Sequence, residues 1–153
     1  MATYNDGKGY KLGTGAAHSA KGINKVSTIS VDLNFATITT ERAAAGLTAL
    51  AAGDVLEVIR VPANTLVTHV ALNVTTAEGG TLTIDVGDGT DPDGFHDGVN
   101  GNAVAAYIND AGGAAALAHG KFYTAADTID VTTVNAADAA VMTLTAVMVD
   151  CSE

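Results

Sequence analysis

The 153-residue sequence predicts an all-β fold. The expected form is a single jelly-roll-like β-sandwich of eight or nine short strands, preceded by an extended N-terminal arm. Three observations predict it. From residue 26 onward, apolar residues recur at every second position, the period of a half-buried strand. Ala, Val, Thr and Gly dominate, with no Trp and few aromatics, and β-branched residues pack well on a pleated surface. Short Gly-, Asn- and Asp-rich punctuations separate the alternating runs at the spacing of a sandwich or barrel.

The chain divides into an arm, residues 1–25, and a sandwich domain, residues 26–153. The arm holds five glycines and isolated bulky residues, too little apolar surface to offset the entropy of ordering it alone. In "VSTISVDLNF", Ile29, Val31, Leu33 and Phe35 share one face. "TERAAAGLTALAAG" (40–53) predicts a short helix with Thr40 as N-cap and Gly53 as stop, weakened by Gly46. "DVLEVIRV" (54–61) is a strand ended by Pro62. Residues 65–76 and 81–86 read as a hairpin across "AEGG", with Leu66, Val70, Leu72 and Val74 on one face. A long loop is expected over 87–102. "AVAAYI" (103–108) and "KFY" (121–123) are short strands, and 128–134 and 140–150 read as a second hairpin. In the last strand, Met142, Leu144, Ala146 and Met148 fill one face. Val141, Val147 and Val149 partly fill the other, which marks them as candidates for packing against a neighbouring subunit.

Charge separates the two parts. The net charge is −10, but residues 1–25 carry four lysines against Asp6 alone. The remainder carries Arg42, Arg60 and Lys121 against sixteen acids. Opposite signs in the two parts point to an interaction tail. Its candidate contact residues are Lys8, Lys11, Lys21 and Lys25, with Tyr4, Tyr10 and Leu12 as apolar anchors. So acidic a body repels a polyanion, which argues against nucleic acid as partner. No apolar run approaches the roughly 18–20 residues that span a bilayer, and the opening residues lack a secretory h-region. The expectation is a chain made in a cytosol, with no membrane partner.

Chemical motifs are sparse. "GDGTDPDGFHDG" (87–98) offers the oxygen-rich, glycine-rich setting that calcium favours, with Asp88, Asp91, Asp93 and Asp97 as candidate ligands. Its spacing departs from an EF-hand: Phe95 stands where a third ligand belongs, and no glutamate closes the loop. Asp and Gly are equally the residues of any tight turn. His18, His69, His96 and His119 are scattered, with no G-x-S-x-G elbow and no H-E-x-x-H. "GKGYKLG" (7–13) lacks the G-K-[ST] ending of a phosphate loop. Cys151 is the one cysteine, so no internal disulfide can form. The reading is non-enzymatic and without a cofactor, with calcium as the lesser alternative at the acidic loop.

The run "GDVLEVIRVPANTLVTHVALNVTTAEGGTLTIDVGDGTDPDGF" (53–95) resembles a pattern in small virion proteins of tailed bacteriophages. There a strand ends in a "VPA-T" turn, followed by a "V-x-x-V" strand, a "T-x-T-I-x-V-G-D" strand and an acidic loop. "YTAADTIDVTTVNAADAAVMTLTAVMVD" (123–150) is similar to their closing hairpin. The resemblance implies a head decoration, or cement, protein with a jelly-roll-like sandwich. It implies a place on the outer capsid surface, the major capsid protein and a homo-oligomer, a trimer first, as partners, and synthesis in the host cytoplasm. The alternatives are a calcium- or carbohydrate-binding adhesion module of a tail or fibre and, more weakly, a tail-tube or neck component.

Overall fold

The computed structural model describes residues 4–5, 11–12, 25–108 and 116–152. Among them, two short arm segments, β1 (Tyr4–Asn5) and β2 (Lys11–Leu12), pair antiparallel with each other. Nine further strands build a sandwich. They are β3 (Val26–Asn34), β4 (Asp54–Val61), β5 (Thr65–Thr76), β6 (Thr83–Gly87), β7 (His96–Asn100), β8 (Ala105–Ile108), β9 (Lys121–Tyr123), β10 (Asp127–Thr133) and β11 (Val141–Asp150). One sheet runs β4-β10-β6-β7. The other runs β3-β11-β5-β8, with β9 sharing the β5 edge with β8.

These orders are those of a jelly roll. The chain acts as one long antiparallel ribbon: β3 pairs with β11, β4 with β10, β5 with β8 and β9, and β6 with β7. Winding the ribbon adds the β11–β5 and β10–β6 pairs and closes two sheets face to face. The loop between β6 and β7 is the tip of the ribbon. Between the sheets lie Met142, Leu144, Ala146 and Met148 of β11, Val70, Leu72 and Val74 of β5, and Ile129 and Val131 of β10, all buried. Each large side chain so buried contributes about 1.5–3 kcal/mol.

Several expectations are corrected. Neither expected hairpin forms. β5 and β6 lie in different sheets, as do β10 and β11. A short polar connection can turn back within a sheet or turn a corner between two sheets about 10 Å apart, and its composition does not tell the two apart. The expected loop 87–102 contains β7, whose "HDGVN" turns only His96 and Val99 inward and so shows no apolar run. In β5, the register slips opposite Val147 and Met148. That bulge re-phases the strand, so Val67 is buried and Leu66 faces outward with Val149.

The helix, α1, spans Phe35–Ala44 rather than 40–53. Asn34, not Thr40, is its N-cap, accepting from the Thr37 amide at 3.0 Å. Gly46, with φ +74°, supplies the left-handed stop, and the Leu47 amide donates to Arg42 O at 2.8 Å. Fully buried Phe35 fixes the helix to the sandwich. At the same end, the Glu78 carboxylate accepts from the amides of Asp138, Ala139 and Ala140 at 2.7–3.1 Å, tying the β5–β6 loop to the β10–β11 loop.

At the opposite end, the ribbon tip folds back on β6. A Cβ on Gly87 would stand 1.9 Å from Asp91 O and 2.3 Å from the Pro92 carbonyl carbon. Only glycine admits this backbone approach. Gly87→Ala is therefore expected to lower stability by about 3 kcal/mol, measured by urea unfolding. A stability within error of wild type would show that the fold-back is not required.

Candidate functional site

Two surfaces concentrate the residues that could act on a partner: the ribbon tip and the outer face of the five-stranded sheet. At the tip, Asp88 is 1% exposed. Its Oδ1 accepts from the amides of Thr90 and Asp91 at 2.9 and 3.1 Å, the local turn an Asx residue makes. Its Oδ2 accepts from Lys121 Nζ at 2.5 Å and Tyr123 OH at 2.7 Å. Both donors come from β9, and the Lys121 ammonium also lies 4.8 Å from the Tyr123 ring centre. Burial alone would raise the Asp88 pKa. The Lys121 and Tyr123 hydrogen bonds and the two amides outweigh it and hold the carboxyl below its ordinary value. Burial, then the Asp88 hydrogen bond and charge, push the Tyr123 phenol far up.

The four carboxylates expected around a calcium ion are thus put to different uses. Asp88 Oδ1 and Oδ2 face four donors. Asp91 and Asp93 share a hydrogen bond that raises the Asp91 pKa. Asp97 lies near Asp85, whose pKa is raised first by burial and then by the charges of Asp97 and Asp93, against the Gly98 amide at 2.8 Å. Among the described residues, no three His, Cys, Asp or Glu side chains converge as a metal site. The loop folds around Asp88, which accepts from two amides, an ammonium and a phenol. Lys121 and Tyr123 were missed at the sequence level. They lie more than thirty residues from Asp88, and a three-residue "KFY" carries no pairing signal.

On the five-stranded sheet, Val141, Val147 and Val149 all face outward and are half-buried. Val149 stands between Val26 on β3 and Leu66 on β5, and Leu66 stands opposite Phe122 on β9. Val26, Val149, Leu66 and Phe122 form one apolar row across four strands. Its ends are open, with Val26 60% and Phe122 48% exposed. The next rows grade into hydroxyls, where Ser30 and Thr145 hydrogen-bond at 2.9 Å and Thr143 donates to Asp32 at 2.7 Å. Val141 lies at the far end, beside Asn34 and Thr76. The bulge in β5 is what turns Leu66 outward to complete the row.

Of the arm residues, Lys8, Tyr10 and Lys21 lie outside the described residues. Tyr4, Lys11 and Leu12 fall in the β1–β2 pair. Lys25 roots the arm at the edge of the five-stranded sheet: its carbonyl accepts from the Asp150 amide at 2.5 Å, and its ammonium donates to the Ser152 carbonyl.

No family model and no curated protein matches this chain. Solved structures do. The chain is similar to one in the capsid of cyanophage Pam1, at 18% identity and a TM-score of 0.57, over 97% of each chain. It is similar to one in the capsid of Ralstonia phage GP4, at 19% identity and a TM-score of 0.58, over 85% of this chain and 87% of that one. A third likeness is to the acidic stable capsid of Helicobacter pylori bacteriophage KHP30, at 12% identity and a TM-score of 0.58, over 84% and 90%. The shared property is the fold, an antiparallel jelly-roll sandwich. The nearly equal coverage makes it a likeness between whole chains of similar length.

The Asp88 cluster sets an expectation. Asp88→Ala removes the acceptor of a half-buried cation and a buried phenol, and is expected to cost about 3 kcal/mol at neutral pH, read by urea unfolding. A folded-state pKa below the ordinary value means that the stabilisation is present above about pH 4 and is lost as pH falls through the lowered value. The gap between wild type and Asp88→Asn should therefore close on acidification below that point. A gap independent of pH would exclude the ionised carboxylate as its source.

Proposed function

We propose that this chain is a structural protein of a tailed-phage virion: a decoration, or cement, protein that binds the outer capsid surface and bridges capsomers. The observation that carries the reading is the apolar row Val26–Val149–Leu66–Phe122. It lies on a sheet face that a single chain leaves open, and apolar patches of this kind on a β-sandwich serve protein contact rather than catalysis. The whole-chain likeness to small chains in three phage capsids supports the same reading. So does the use of the buried Asp88 and His96 as structural ties; the His96 Nε2–H donates to Val70 O across the two sheets at 3.0 Å.

In this reading the row packs against neighbouring copies in a closed cyclic homo-oligomer, a trimer being the assembly that the resemblance to head decoration proteins implies. The lysine-bearing arm contacts the major capsid protein or a neighbouring subunit, its lysines pairing with carboxylates there. The chain works without a cofactor and without an enzymatic activity.

Val26→Ser with Phe122→Ser should leave the melting temperature near that of wild type and reduce occupancy on capsids about tenfold or more, as for loss of a central apolar contact. Occupancy is read by electron cryomicroscopy of particles incubated with each protein. Equal occupancy would remove the row from the interface, and density on the tail or neck alone would overturn the decoration reading.

A further inference from the structure

The edge of a sheet exposes unpaired backbone N–H and C=O groups, a template for another strand. Natural sheets blunt their edges with charge, proline, bulges or brevity. Among the described residues, the two sheets of the sandwich have four edges, and three are blunted. β4 carries Asp54, Glu57 and Arg60, slips register against β10 and runs into Pro62. β7 is five residues long, slips register against β6, and holds Asp97 and Gly98, the latter at φ +73°. The edge beyond β5 is split between β8, of four residues, and β9, of three.

β3 is the exception. Its nine residues pair with β11 in unbroken register from Val26 to Asn34. The strand contains no Pro, Gly, Lys or Arg, and its one charge is Asp32. Among the described residues, no strand lies on its outer side. Its core-facing side chains are left open as well. Ile29 and Val31 stand directly opposite Ala146 and Leu144, which are fully buried, and so share their face. Yet Ile29 is 38% exposed and Val31 is half-buried. A cavity of about 300 Å³ opens beside them, lined by Ser27, Ile29 and Met148 together with Arg60, Pro62 and Ala63.

We propose that β3 is a strand-pairing site whose partner is the β3 of a second copy of this chain. Two observations select this occupant. The other edges of a second copy are blunted, so β3 is the edge that can give a strand as well as take one. β3 also complements itself. Two identical edges meet antiparallel about a two-fold axis perpendicular to the sheet. In the register that pairs all nine residues, Ser30 stands opposite its own counterpart. Ile29 of each copy then faces Val31 of the other, and the pair closes the apolar side chains that a single copy leaves open. Asp32 falls opposite Thr28, so no like charges meet. The new ladder supplies about nine backbone hydrogen bonds, close to the roughly ten direct bonds of a standard protein interface. The two outer faces become one surface. Edge pairing uses the backbone and the inward side chains of β3, so it goes beyond the contact made by the apolar row and does not depend on it.

The test uses the full-length chain carrying Cys151→Ser, so that an introduced cysteine is the only one. Residues directly opposite in an antiparallel pair have Cα atoms about 4.5–5.5 Å apart, within the range of a disulfide. Ser30→Cys is expected to give a disulfide-linked dimer on mild oxidation. Thr28→Cys and Asp32→Cys should each stay unlinked alone, because equivalent positions then lie four residues, or about 14 Å, apart along the strands. Mixed together, the two variants should link. The links should persist when Val26→Ser and Phe122→Ser are added, which separates edge pairing from packing through the row. No link from Ser30→Cys would overturn the proposal. So would a mixture that links no more than its components, or links lost in the row variant. Failure here leaves capsid occupancy to be judged separately, and edge pairing by a protein that stays off capsids would overturn only the decoration reading.

Discussion

A jelly roll is an antiparallel ribbon wound on itself, so its integrity depends on how the tip is held. Here the tip is held by one buried carboxylate. Asp88 organises its own turn through two backbone amides and reaches into β9 through Lys121 and Tyr123. β9 belongs to the five-stranded sheet, and β6 and β7 to the four-stranded one. The same residue therefore closes the hairpin and fastens one sheet to the other. Its charge is tolerated in the interior because every lone-pair direction in use meets a donor, one of them cationic.

Folding the tip back over Gly87 has a second consequence. The backbone of Asp91 and Pro92 closes over β6 next to Asp130, so a carboxylate on the outer sheet face becomes nearly inaccessible to water. One loop thus holds two aspartates in opposite electrostatic conditions. Asp88 is satisfied and kept ionised, while Asp130 is desolvated among like charges and pushed toward protonation. The two broad faces of the sandwich differ in the same way. One offers an apolar row grading into hydroxyls. The other offers Glu57 and Asp130, carboxylates opposite each other on neighbouring strands.

The strands were legible wherever one face was apolar and the other polar. β3, β4 and β11 fall where period two places them, and the inward set Met142, Leu144, Ala146 and Met148 is read straight from the sequence. β7 was hidden because its inward residues are a histidine and a single valine. α1 was misplaced because an alanine-rich run has high helix propensity wherever it lies, whereas the start of this helix is decided by the Asn34 cap and by Phe35 entering the core. The outward valines were visible as an excess on the polar face of the last strand. The partners of Val149 in the row were not, because they come from three other strands.

What the sequence determined by itself was local: alternation, the turn residues, an arm and a body of opposite charge, and a stretch rich in aspartate and glycine. Each follows from the nearest neighbours along the chain. Only the tertiary structure decided which strands pair, because a corner between sheets and a hairpin within one use the same short polar connections. It alone decided what Asp88 in "GDGTDPDGFHDG" meets within the fold. The winding of the ribbon brings Lys121 and Tyr123 to Asp88, and so makes the stretch the fastening of the fold.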